Sequence, residues 1–311
     1  MIIIMKKNKK KKLMAVNQAT PVVNVIYNII FIILCICCLY PMLIILGTSF
    51  ASENSLNEVG YRMIPRELGW DAYTYIMGNA KIIFRAYGVS IFVTLVGTAL
   101  SVLVNALFAY AISRREFKYR NIFTFLQFFT MLFSGGLVPW YLVCTRLLHI
   151  NNTLWGLILP GVCSAWNIII LKTFFSTSVP EAIVESARID GAFEFKIFFE
   201  IVWPISLPGL ATVALFAMLG YWNDNYNALI LTSDPKLQNL QLYLYNILEN
   251  IANLTNSASA AAQQAGHTIA DMPKESARMA MCVIAVGPIV LAYPFFQKYF
   301  IQGLTIGAVK G

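Results

Sequence analysis

Pro180-Glu181-Ala182-Ile183-Val184-Glu185-Ser186-Ala187-Arg188-Ile189-Asp190-Gly191, followed after nine residues by Ile201-Val202-Trp203-Pro204, is a charged interruption between two long apolar stretches. Pro180 suits the first turn of a helix, where an N–H would have no intrahelical acceptor. Gly191 suits a helix end that turns through the left-handed region. A second amphipathic segment, Ala192 to Glu200, then leads into the apolar stretch opening at Pro204. The pattern predicts two short helices set at an angle. Ala182, Ser186 and Ala187 are small enough to let a partner approach closely, while Glu181, Glu185 and Asp190 offer carboxylates to basic groups on it.

Working outward, the flanking apolar stretches are 153–171 and 204–223, and four more occur at 25–49, 88–112, 121–143 and 279–296; none contains Asp, Glu, Lys or Arg. A helix needs about 20 apolar residues to cross a hydrocarbon core about 30 Å thick. Helices are the form that pairs every backbone group in lipid, and the period-2 alternation of a membrane barrel is absent. The expected fold class is therefore all-α integral membrane, with six transmembrane helices. Composition agrees: 58% of the 311 residues are hydrophobic and 12% charged, too few charges to cover a soluble surface. Pro41, Pro139, Pro160, Pro208, Pro288 and Pro294 fall inside or near the span ends. In membranes such kinks are tolerated and help shape a pathway.

The net charge of +8 does not point to nucleic acid, because six of the 23 basic residues form one run, Lys6 to Lys12, beside the first span. That is a topology signal. With six spans both termini share a side, and that side carries fifteen basic residues against eight. The termini and the loop 176–203 are thus expected in the cytoplasm of a plasma-membrane protein, and 50–87 and 224–278 outside. The organisation read from this is a basic N-terminal stretch 1–24, a six-helix domain 25–296 and a tail 297–311. The apolar run Val22 to Phe50 is too long for the core of a signal peptide and reads as a retained span. The stretch 258–266 reads as a mobile spacer. Six cysteines without a CxxC pair and two histidines, His149 and His267, indicate neither a disulfide framework nor a metal site.

No ionisable residue lies inside a span to hold a coupling ion, and no GxxxxGK[ST] loop is present to cradle a nucleotide. The chain is thus either a passive channel or drives transport with energy from another chain. The loop decides. Cytoplasmic loops ordinarily favour Lys and Arg, but between Ser176 and Trp203 five acidic residues face two basic ones. That reversal favours a protein partner.

Glu185-Ser186-Ala187, three residues, Gly191, nine residues and Ile201-Val202-Trp203-Pro204 resembles the EAA motif of binding-protein-dependent ABC transporter permeases, with Ser186 for the middle Ala and Trp203 for Leu. The resemblance implies the type 1 importer, MetI-like fold. It implies a coupling helix docked on an ATPase subunit through Glu181, Glu185, Ser186, Ala187, Asp190 and Gly191. It also implies a second permease, two ATPase subunits that bind ATP and Mg, an external solute-binding protein, and no cofactor or metal in this chain. The end, Tyr293 to Gly311, is similar to carbohydrate-uptake permeases of the maltose-transporter second-subunit type. Phe133-Ser134-Gly135-Gly136-Leu137-Val138-Pro139 and Glu275-Ser276-Ala277-Arg278-Met279-Ala280 resemble the branch named after LplC, whose members are usually assigned to complex oligosaccharides. In the tail, Phe296, Tyr299 and Phe300 need protein cover and are expected against the ATPase.

A sugar would stack on aromatic rings and bond to amides. Tyr221, Trp222, Asn223 and Asn225, and more weakly Trp140, are candidates for its path, although an interfacial aromatic belt would look the same. The alternatives are an importer of the same build for a peptide or polyamine, and a stand-alone channel. The C-terminal tail argues against the first and the acidic loop against the second.

Overall fold

The computed structural model describes residues 21–78, 80–262 and 274–308. The basic run Lys6 to Lys12 and His267 lie outside them. The described chain forms helices α1 (Pro21–Ser49), α2 (Glu53–Val59), α3 (Asp71–Met77), α4 (Ala80–Ser113), α5 (Arg120–Leu132), α6 (Leu137–Leu147), α7 (Leu154–Val162), α8 (Ala165–Ser178), α9 (Glu181–Ile189), α10 (Glu194–Ile205), α11 (Leu207–Trp222), α12 (Tyr226–Leu231), α13 (Leu240–Ala262) and α14 (Glu275–Ala308). No strand occurs among the described residues.

All six expected spans are present as helical segments, but three are broken. The 121–143 stretch is α5 and α6, bent by 116°; 153–171 lies in α7 and α8, bent by 47°; and α10 meets α11 at 85°. The causes are local. Ser134-Gly135-Gly136 separates α5 from α6, with Gly136 at φ 84. The α10–α11 bend falls at Ser206, two residues after the expected start at Pro204. The expected sixth span also runs on: α14 continues past 296 to Ala308. Residues Ala258 to Ala262, read as spacer, instead close α13.

The chain divides into two compact units. The first holds α1, α2 and the start of α14. There the buried Glu53 carboxylate accepts the Glu275 N–H at 3.1 Å, the Ser276 N–H at 3.3 Å and the Ser276 hydroxyl at 2.8 Å. A carboxylate is well placed against the positive end of a helix. Tyr61 donates to Glu275 at 2.8 Å. From Val22 to Leu46, α1 is covered almost nowhere by this chain.

The second unit is built on α4, which packs against α7, α8, α11 and α13. Its buried face is Ser90, Val93, Thr94, Gly97, Ser101, Val102, Asn105, Ala106 and Ala109, mostly small residues that allow close helix approach. Asn105 bridges the break between α7 and α8: its amide donates to Val162 O at 2.9 Å and accepts the Ser164 N–H at 2.9 Å. Backbone groups freed inside a membrane need such partners. The same logic operates at Pro288, whose missing N–H leaves the Ile284 carbonyl unpaired within α14; the Tyr87 hydroxyl donates to it at 2.9 Å.

Candidate functional site

The 181–205 segment is seated from below by apolar side chains. Val184 of α9 and Ile197, Phe198 and Val202 of α10 are buried in one cluster with Ala106, Ala109, Ile168, Leu171 and Phe175. A π-helical turn at Ile197–Val202 puts 197 and 202 on the same side, which an α-helical turn would not. The expected second short helix is thus the first part of α10. Because α10 meets α11 at 85°, a membrane-crossing α11 leaves α10 lying close to the membrane plane.

The end of α9 is a Schellman motif. Gly191 has φ 80, its N–H bonds Arg188 O at 3.0 Å, and the Ala192 N–H bonds Ala187 O at 3.0 Å. A Cβ at Gly191 would meet no atom within 4 Å, so the requirement for glycine is conformational rather than steric.

Charge pairing divides the loop into two faces. Toward the chain, Arg188 bonds Glu116 at 2.9 Å and Glu194 at 2.8 Å, and the Tyr110 hydroxyl donates to Glu194 at 2.7 Å. Glu181 lies 3.7 Å from Arg115, whereas Glu200 pairs within α10 itself, 3.9 Å from Lys196, on the exposed side. A hydrogen bond from its own backbone N–H, and then the Arg188 guanidinium, hold Glu116 below the usual carboxylate range. Away from the chain, Glu185 and Asp190 have no side-chain partner among the described residues, and Ser186 is exposed. Ile189 is 85% exposed and Phe193 82%. A cleft of about 320 Å³ opens beside them, edged by Ala187, Asp190, Gly191, Lys196 and Glu200. Two unpaired carboxylates, two bare apolar side chains and a cleft on a fixed base make a surface suited to a protein partner.

Of the six loop residues singled out from sequence, Glu185, Ser186, Asp190 and Gly191 share this outer surface. Glu181 faces Arg115, and Ala187 is half-buried against the core. Ile189 and Phe193 escaped the sequence reading; an Ile and a Phe flanking a helix-ending glycine were the available signal.

The aromatic candidates for a sugar path are placed differently. Tyr221 is buried, its ring against Gly97 and Gly161, and its hydroxyl donates to Ile158 O at 2.8 Å. Trp222 is buried and donates to Ala285 O at 3.0 Å. Both therefore fasten helices together. Asn223 is exposed, Asn225 half-buried, and Trp140 lies 6.1 Å from the exposed ring of Tyr226. The side chains of Phe296, Tyr299 and Phe300 lie outside the described residues.

The chain matches the family described as binding-protein-dependent transport system inner membrane component over residues 114–306. It is 38% identical to the polygalacturonan/rhamnogalacturonan transport system permease protein YtcP of Bacillus subtilis, over 88% of this chain and 93% of that one. It is 39% identical to Protein LplC of the same organism, over 87% and 89%. A crystal structure of a bacterial ABC transporter involved in the import of the acidic polysaccharide alginate contains a chain that matches with TM-score 0.74 and 27% identity, covering 90% of this chain and 96% of that one. The relatives are membrane transport components rather than enzymes, and the chain belongs to the family of binding-protein-dependent transport system inner membrane components.

Proposed function

We propose that the chain is a permease subunit of an ATP-driven importer for an oligosaccharide, a uronate-containing fragment of a plant polysaccharide. It lines half of the translocation path in the plasma membrane, with both termini in the cytoplasm. A second permease supplies the other half, an external solute-binding protein delivers the sugar, and two ATPase subunits bind ATP and Mg. Glu185, Ile189, Asp190, Gly191 and Phe193 meet the ATPase, and the tail residues Phe296, Tyr299 and Phe300 add to that contact. The observation that carries this reading is the outer face of α9, with unpaired acids and exposed apolar groups on a base buried in the core. The sugar assignment is supported by relatives named for polygalacturonan and rhamnogalacturonan, both galacturonate-containing, and for the acidic polysaccharide alginate. Asn223, Asn225 and Trp140 remain the groups proposed to line its path.

The test is uptake. Cells carrying the importer should accumulate labelled galacturonate oligosaccharide, and deletion of this chain should abolish that accumulation while glucose uptake continues. Competition by a peptide or polyamine but not by the uronate oligomer would favour the other solute classes.

A further inference from the structure

A polar cleft of about 520 Å³ lies where the end of α4, the start of α5 and the end of α8 meet the first residues of α9. Four cations line it: Arg114, Arg115, Arg120 and Lys172. One carboxylate, Glu181, faces them and is already 3.7 Å from Arg115. Arg114 rests over the Tyr110 ring at 4.9 Å and donates to Ser113 at 3.2 Å. Among the described residues, half-buried Lys172 donates to the Thr124 hydroxyl at 3.0 Å. Among the described residues, none of Arg114, Arg120 and Lys172 has a carboxylate within ion-pair distance. Four cations facing one carboxylate leave the cleft with a surplus of positive charge, which an anion would offset.

We infer that this cleft holds the phosphate of an anionic membrane phospholipid. Its place in the fold selects the source of the anion. The cleft sits at the polar ends of apolar segments, where a headgroup lies, and basic pockets between spans are recognised headgroup sites. Leaving the cleft, α5 presents Ile122 (58% exposed), Phe125 (65%) and Phe129 (45%) along one face, a surface for acyl chains. Lys172 sits one residue beyond an apolar stretch, so its ammonium reaches the headgroup level while its stem stays in apolar surroundings. The site also adjoins α9: a phosphate drawing on Arg115 would loosen its pairing with Glu181 at the first turn of the docking helix.

The assignment rests on membrane embedding and not on the sugar or ATPase reading, so either can fail without the other. The test uses the complete importer purified in neutral detergent, with bound lipid quantified by native mass spectrometry after incubation with phosphatidylglycerol or phosphatidylcholine. The intact complex should retain phosphatidylglycerol selectively. Arg120→Gln with Lys172→Gln should weaken that retention about thirty-fold, from about 1 kcal/mol per cation at a membrane surface. Arg120→Lys should restore most of it, which guards against a folding defect, and Arg278→Gln, outside the cleft, should change nothing. Equal retention of both lipids, or undiminished retention in the double variant, would overturn the assignment. So would displacement of the lipid by millimolar inorganic phosphate, which would mark a site for a free anion, or loss of ATPase from the double variant with lipid still bound, which would mark a protein contact.

Discussion

Helices α1 and α4 are both long and free of acidic residues, yet they behave oppositely. The first is a nearly unbroken run of Ile, Leu, Val, Cys and Phe, and this chain covers almost none of it. The second is interrupted by Ser90, Thr94, Gly97, Ser101 and Asn105, and all five are buried, beside apolar neighbours such as Val93, Val102 and Ala106. In water the more apolar helix would be the core. In lipid, tails are as apolar as Leu, so association follows close packing and hydrogen bonding instead. Small and polar residues mark the protein-facing side.

That contrast is open to attack at several points. The largest effect is expected at Gly97, where a Cβ would fall 2.6 Å from the Tyr221 ring. Gly97→Val should cost about 3 kcal/mol or more, since a packed core resists added volume, and should abolish a monodisperse gel-filtration peak. Normal accumulation and melting would mean that α4 and α11 do not pack as described. Next comes Asn105→Leu, which strips partners from Val162 O and the Ser164 N–H. At about 0.6 to 1.7 kcal/mol per intramembrane hydrogen bond, a loss of about 2 kcal/mol should appear as a lower melting temperature of the purified complex.

A smaller effect is expected at Gly191→Val, about 1 kcal/mol from forcing a β-branched residue to positive φ. The chain should still insert, but sugar-stimulated ATP hydrolysis should fall sharply because the end of α9 is re-aimed. Normal stimulated hydrolysis would refute the role given to this turn. Acidification should be milder still. Glu116 is held below its ordinary pKa, so its grip on Arg188 contributes fully above the ordinary glutamate range and is lost as pH falls through the lowered value. Because Glu116 is half exposed, solvent screening keeps the effect small. Amide protection across 181–189, corrected for the intrinsic slowing of exchange in acid, should fall modestly at low pH in the native chain and show no such fall in Glu116→Gln. Least of all, Ile32→Ala on α1 should leave stability unchanged, since lipid covers that position. A clear destabilisation of the assembled importer would place a partner chain on α1.

The six apolar segments and the two-helix loop were legible in the sequence because lipid imposes length and composition so strictly. The breaks were not. Ser134-Gly135-Gly136 was visible, but glycines admit a wide range of backbone angles, so the triplet marks a break without specifying its 116° bend. The break at Cys163-Ser164 is held by Asn105, 59 residues from the Ser164 N–H it accepts, and no local pattern joins the two. The loop acids were legible as a group, yet which of them stay unpaired depends on Arg115 and Arg188. Tyr221 and Trp222 looked like a sugar platform because aromatic residues stack on sugars; in the fold they face helices, and their hydrogen bonds go to backbone carbonyls.

The most direct test of the central claim is retention of the ATPase on the purified permease pair. Glu185→Lys with Asp190→Lys reverses the two acids that this chain leaves unpaired, while Glu181→Lys reverses one that lies beside Arg115. The double variant should lose most of its ATPase in a pull-down while the permease pair stays intact, and Glu181→Lys should retain much more. Equal retention by the native pair and the Glu185→Lys, Asp190→Lys variant would contradict the assignment of the outer face of α9 as the docking surface.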